Sequence, residues 1–434
     1  MKQKYKVIFI IRSTNELDQM LPLICKFVET DHYVRVMTLK LDKLDNYLTS
    51  YMFSKCGLLV ETPVLDNVNK ISKFLIFIFE KMIQIAVNNG WHLPLKYLEY
   101  FFHNIKKRYI LKHEDSKENP CNTIFDCDNT NVIIVDKTNI IQNKIYKNVA
   151  KYAAIKGIPI IRLPHALYMT ITNTDSVDGS NILVHDYGDK VFDIYYGMEE
   201  IYQEDFACRE EGCGKKTNKN KIKPFLLGNM RYSQEWVGKY KEIQQFDKAP
   251  DPNIDVKKQT IVVIMSATPL IYLDKVASLL NAIADRFDVN IIYKPHTRRG
   301  IVDHKMKGLL NKNNKVIFSY KNTGTLMDMS DIALVCGNSS VAFHSIVSSQ
   351  PIIFAEYVNK NPTYYSVYMK GCVAVSKYEV LAGIEGILNN NMGYNKDSIA
   401  KEIVKEFINP KDSNDVIQDH FNLVSSIVEK SKFN

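Results

Sequence analysis

The stretch Lys294-Pro295-His296-Thr297-Arg298 gathers an ammonium, an imidazole, a hydroxyl and a guanidinium directly after the apolar run 289–293. Lys and Arg supply charge-assisted donors, the imidazole adds a directional one, and Pro295 stiffens the backbone between them. That set suits a phosphate; taken alone, it also fits a solvated basic turn. A second group, Gly337-Asn338-Ser339-Ser340, follows the apolar run 332–335 and precedes a helical pattern. Backbone N–H groups and hydroxyls opening a helix make an anion site, although Asn338 or Ser339 could equally serve as a simple cap. Glu356 ends a third apolar run, Pro351-Ile352-Ile353-Phe354-Ala355, where a carboxylate can accept hydrogen bonds from a ribose or else mark an exposed strand end. In the first half of the chain, His165 stands just past the strand-like run 158–163, and Asp136 closes the run 131–136. Open parallel sheets bind ligands at the carboxyl ends of their strands.

These residues need elements to hold them at one edge. Apolar runs at 5–11, 33–39, 58–61, 131–136, 158–163, 191–196 and 225–227 alternate with helical sequence, the rhythm of an α/β parallel sheet. Ser13 or Thr14 can cap the first helix, which extends to about residue 28. Residues 68–113 interrupt the rhythm with two helical stretches rich in aromatic and basic residues. They read as an insertion, more readily packed helix than a surface lying on a membrane. Residues 245–258, with two prolines and many charges, mark a linker. A second Rossmann-like unit follows, with strands at 260–265, 289–294, 316–319, 332–335 and 351–355. The expected organisation is therefore one Rossmann-like domain at 1–250, a second at 256–408, and a helix at 409–434 that packs back on the first domain.

A chain of 434 residues is long enough for two cores, and 46% hydrophobic with 24% charged residues is an ordinary globular balance. The net charge of +8 fits anionic substrates or an anionic membrane surface. No zinc-finger spacing, aromatic RNA-binding motif or basic zipper accompanies it, so nucleic acid is not expected as a partner. The eight cysteines lack metal-site spacing and read as free thiols; no metal and no cofactor are expected. The apolar run after the basic start (7–11) is too short for a signal peptide, and the run 74–79 is far short of the ~18 residues that span a bilayer. The expected location is cytoplasmic, with peripheral contact at the inner face of the membrane as a variant of it.

The order Lys-Pro-His, then Gly-Asn-Ser-Ser opening a helix, then Pro-Ile-Ile-Phe-Ala-Glu resembles the donor half of GT-B glycosyltransferases of the bacterial surface and capsular polysaccharide group. That group includes Kdo, sialyl- and polysialyltransferases and the CDP-glycerol glycerophosphotransferases. The segment 157–166, ending Pro164-His165-Ala166, and Leu227-Gly228-Asn229-Met230-Arg231-Tyr232 are similar to elements of the same group. The sequence departs from it at His296-Thr297, where the family has His-Pro, and at His165-Ala166, where it has His-Gly.

The resemblance implies two Rossmann-like domains facing across a cleft and a metal-independent, inverting transfer of sugar from a nucleotide-activated donor to a glycan or lipid-linked glycan. A CMP- or CDP-linked donor is favoured. Lys294, His296, Thr297, Arg298, Gly337, Asn338, Ser339 and Ser340 would hold the donor phosphate, Glu356 its ribose or base, and Gly228 and Arg231 would join the donor site. For the base that takes the acceptor proton, His165 is first choice because imidazole titrates near neutrality. Asp178, in an acidic-Gly loop like that of some sialyltransferases, and Asp136 are the alternatives. A non-hydrolysing UDP-sugar 2-epimerase and a non-catalytic binding protein of the same architecture are the competing readings.

Overall fold

The computed structural model describes residues 4–38, 46–61, 130–136, 144–164, 190–196, 222–266, 270–296, 301–310, 316–337, 339–363, 370–389 and 401–431. The helical insertion expected at 68–113 lies outside them, as do His165, Asp178, Thr297, Arg298 and Asn338.

The first domain opens with β1 (Lys6–Ile11), α1 (Thr14–Glu29), β2 (Tyr33–Thr38), α2 (Tyr47–Cys56) and β3 (Val60–Glu61). It continues with β4 (Val132–Asp136), α3 (Lys144–Ile155), β5 (Ile160–Leu163), β6 (Val191–Tyr195), β7 (Ile222–Leu226) and α4 (Gln234–Gln244). The seven strands form one parallel sheet in the order β3-β2-β1-β4-β5-β6-β7. The second domain holds β8 (Thr260–Met265), α5 (Leu273–Arg286), β9 (Asn290–Lys294), α6 (Ile301–Leu309), β10 (Val316–Phe318) and α7 (Thr323–Asp328). It ends with β11 (Ile332–Cys336), α8 (Ala342–Val347), β12 (Ile352–Ala355), β13 (Val373–Ala374) and α9 (Lys377–Leu388). Its six parallel strands run β10-β9-β8-β11-β12-β13. Both sheets reverse their strand order beside their first strand, which is where doubly wound sheets open a crevice. The α/β architecture of two Rossmann-like units is thus the one expected from the alternation of apolar runs.

Parallel strands covered on both faces need near-continuous apolar sequence, and Thr260–Met265 and Ile332–Cys336 are buried at every position. Alternate residues serve two cores. Ile261, Val263 and Leu334 pack with Val276, Leu280 and Ile384 on one face, while Val262, Ile264 and Val335 pack with Leu326, Phe343 and Phe407 on the other. At α1, extended Ser13 accepts a hydrogen bond from the Glu16 N–H, and the Glu16 carboxylate returns to accept from the Arg12 N–H at 2.6 Å. Each exchange satisfies a donor that the first helical turn leaves open.

After a wide turn at Val404–Ile408 in the core of the second domain, the chain returns to the first as α10 (Val416–Ser431). Val424, Ile427 and Val428 join the core that contains Phe9 and Leu21, the Phe421 ring lies 4.9 Å from that of Phe27, and Tyr5 donates its hydroxyl proton to Glu429 at 2.8 Å. This return runs beside the outward crossing at 227–233. The Asn229 N–H donates to the Ile408 carbonyl at 2.7 Å, and a Cβ on Gly228 would stand 2.5 Å from that same oxygen. Glycine is required there because two backbones touch.

Candidate functional site

The register of the second sheet places Lys294 opposite Ile264 and Cys336 opposite Met265. The Lys-Pro-His element and the Gly-to-Ser element therefore flank the end of β8 from either side, their strands roughly 10 Å apart at ordinary strand spacing. Lys294 is buried to 8% exposure, and its ammonium donates to the Tyr320 carbonyl at 3.5 Å. His296 is half-buried. Gly337 turns the chain at φ +95°, and a Cβ there would lie 2.3 Å from the Ser266 Cβ. Ser266, directly after β8, donates its N–H to the Cys336 carbonyl at 2.9 Å. The loop starts after β8 and β11 are thereby packed together, and the chain leaves β9 at the same sheet edge. Ser266 was not singled out from sequence; its signal is its position, one residue past the strand between the two recognised motifs.

The helix after the serines begins later than their spacing suggests. Ala342–Val347 is six residues long, and Val341, not Asn338 or Ser339, precedes it, with no side-chain cap. Its peptide dipole is correspondingly weak, which leaves the Ser339 and Ser340 hydroxyls and the Lys294 ammonium as the polar groups at this edge that could meet an anion. The Tyr232 hydroxyl donates to Ser340 Oγ at 3.4 Å.

Tyr232 belongs to the crossing between domains. Met230 is in the core of the first domain and Tyr232 in that of the second, separated only by Arg231. The Arg231 guanidinium pairs with Asp18 of α1 at 2.5 Å, and the Tyr240 hydroxyl of α4 donates to the same carboxylate at 3.1 Å. Burial pushes the Asp18 carboxyl above the ordinary range, with Arg231 and Tyr240 pulling it back. Beyond it, the Tyr240 ring lies 5.6 Å from that of His344 on α8, whose Nε2 is 3.3 Å from Asp328; Gln244 donates to Asp328 at 2.8 Å. A polar chain thus runs from α1 through α4 to the helix that follows Ser340.

The remaining expected residues sit as follows. Asp136 is buried at the carboxyl end of β4, opposite Leu163 of β5, and its charge raises the proton affinity of Tyr196 after burial has done so. Glu356 follows β12, but its carboxylate accepts from the Thr363 N–H at 2.6 Å, the Thr363 hydroxyl at 2.8 Å and the Asn359 amide at 2.8 Å. It holds its own loop in shape. Gly228 lies against the returning C-terminal segment and Arg231 against Asp18, so both support the junction between domains. Among the described residues, no three His, Cys, Asp or Glu side chains converge as a metal site, and no helix is long and apolar enough to cross a membrane.

No protein-family profile matches the sequence, and no curated protein matches it. Solved structures do. A glycosyltransferase from Rickettsia africae ESF-5 superposes with a TM-score of 0.52 at 12% identity, covering 98% of this chain and 99% of that one. S. aureus MnaA in complex with UDP gives 0.53 at 12% identity over 98% and 97%. The UDP-GlcNAc 2-epimerase from Neisseria meningitidis bound to UDP-GlcNAc gives 0.52 at 9% identity over 97% and 100%. At such identities the likeness establishes the fold, which is GT-B: two Rossmann-like domains, as in these neighbours.

Proposed function

We propose that the protein is a glycosyltransferase that moves a sugar from a nucleotide-activated donor to a glycan hydroxyl. The observation that carries this reading is the flanking of the β8 end by Lys294 on one side and Gly337, Ser339 and Ser340 on the other. In the transfer, the acceptor oxygen forms a bond to the anomeric carbon as the bond from that carbon to the phosphate oxygen breaks. The acceptor proton goes to a base of the first domain, His165 by preference, with Asp178 and Asp136 as alternatives. The charge that gathers on the departing phosphate is met by Lys294, His296 and the two serine hydroxyls. Cations and hydroxyls fixed in advance can carry that task without a metal ion.

For the donor, the motif order argues for a cytidine nucleotide, whereas MnaA and the Neisseria epimerase have UDP and UDP-GlcNAc bound. Calorimetric titration with CMP, CDP, UDP and GDP separates these options, and binding of none would sink the nucleotide-sugar reading. The Neisseria epimerase supports a second reading, sugar 2-epimerisation. Incubation with UDP-GlcNAc in the absence of any acceptor distinguishes the two: an epimerase converts it, a transferase does not.

A further inference from the structure

Away from the donor edge, α1 and α2 bring two cysteines into contact: Cys25 Sγ and Cys56 Sγ are 3.3 Å apart. Cys25 is buried in α1, and Cys56 is partly exposed as the last residue of α2. Gly57 follows in the left-handed region at φ +67°, with no heavy atom within 4 Å of the place a Cβ would take. The end of α2 therefore has space to adjust. A disulfide bond is about 2.05 Å long, so the sulfurs need to approach by roughly a further 1.3 Å. We propose that Cys25 and Cys56 form a dithiol site that reacts with low-molecular-weight disulfides of the oxidised-glutathione class, closing a disulfide between α1 and α2.

The two thiols divide the work. The hydrogen bond between them, followed by burial, keeps Cys25 protonated, while accepting that bond lowers the proton affinity of Cys56. Thiolate is the reactive form, and the partly exposed sulfur is the one a reagent can reach. The Cys56 thiolate attacks one sulfur of the reagent disulfide; the reagent S–S bond breaks and one reagent thiolate leaves. Cys25 then gives up its proton, and its sulfur attacks Cys56 Sγ, displacing the second reagent thiolate. Two protein thiols are oxidised by two electrons, one reagent disulfide is reduced to two thiols, and the two protein protons end on those thiols. Cys336, by contrast, is fully buried and its thiol is pushed up to about 12, which leaves it inert.

The test uses the intact chain. It is equilibrated under native conditions with oxidised and reduced glutathione, quenched in acid, alkylated, digested and mapped by mass spectrometry. The expected result is recovery of the Cys25 and Cys56 peptides joined to each other and free of glutathione. Cys25→Ser should instead trap glutathione on Cys56, and Cys56→Ser should leave Cys25 as a free, alkylatable thiol. Recovery of both wild-type residues as free thiols, or of a lasting glutathione adduct on Cys56, overturns the proposal. The wild-type map decides alone if either variant fails to fold.

Discussion

The guanidinium of Arg231 lies 2.5 Å from the carboxylate of Asp18, with both side chains almost wholly withdrawn from water. This pair fastens the crossing between domains to the first helix of the chain. Removing one partner strands the other as a buried charge, which costs about 3–5 kcal/mol, whereas replacing both with apolar groups is far milder. Asp18→Leu should therefore destabilise strongly in urea unfolding. Asp18→Leu combined with Arg231→Met should recover a large part of the loss. Losses that simply add would show that the two groups are not coupled.

Gly337 is held at φ +95° against Ser266. A side chain at such a backbone position costs roughly 1–3 kcal/mol before any clash is counted. Gly337→Ala should lower the unfolding midpoint and weaken nucleotide binding together, because relieving the clash separates the loops after β8 and β11. A variant with wild-type nucleotide affinity would detach this turn from the donor site.

Lys294 should act on affinity. A charge-assisted contact contributes about 1.5–3 kcal/mol, so Lys294→Met should weaken nucleotide binding by roughly 10- to 100-fold in calorimetry. The remaining binding should depend less on salt concentration than that of the wild type. Unchanged affinity would move the phosphate elsewhere.

His420, fully buried on α10, donates from Nδ1 to the Val416 carbonyl at 2.8 Å, and burial lowers its pKa from 6.5 to about 4. The unfolded chain takes up the proton at higher pH than the folded one. Its contribution is therefore complete above pH 6.5 and is lost as pH falls towards 4, a change of about 3 kcal/mol across that window. His420→Leu should flatten the acid limb of stability measured by urea unfolding at a series of pH values. An acid limb as steep as that of the wild type would assign the sensitivity to other groups.

Sequence made the sheets legible because buried parallel strands must be continuous apolar runs, and Val132–Asp136 and Thr260–Met265 are such runs. Strand β7 was harder: residues 225–227 stood out, yet the strand is Ile222–Leu226 and includes Pro224. Proline is tolerated because β7 is an edge strand, a fact that no local pattern reveals. The two-residue β13 and helix α9 gave no distinct signal of their own. At the candidate site, the motif residues of β9 and β11 could be read because each ends an apolar run. The Asp18–Arg231 pair could not, since an acid on a largely apolar helix gives no hint of a partner so far along the chain. Glu356 shows the opposite difficulty. Residue type and strand-end position pointed to a ligand, but the oxygens hold Thr363 and Asn359.

The return of the chain from Ile408 to α10 has a consequence for biosynthesis. Domains usually fold in the order in which the ribosome delivers them. Here Tyr5 and Phe27 find Glu429 and Phe421 only after the whole second domain has been made. The apolar flank of α1 that α10 covers is therefore open until α10 itself has been made. A nascent chain stalled after residue 408 should present that flank to chaperones, and the domain begun first is the one completed last.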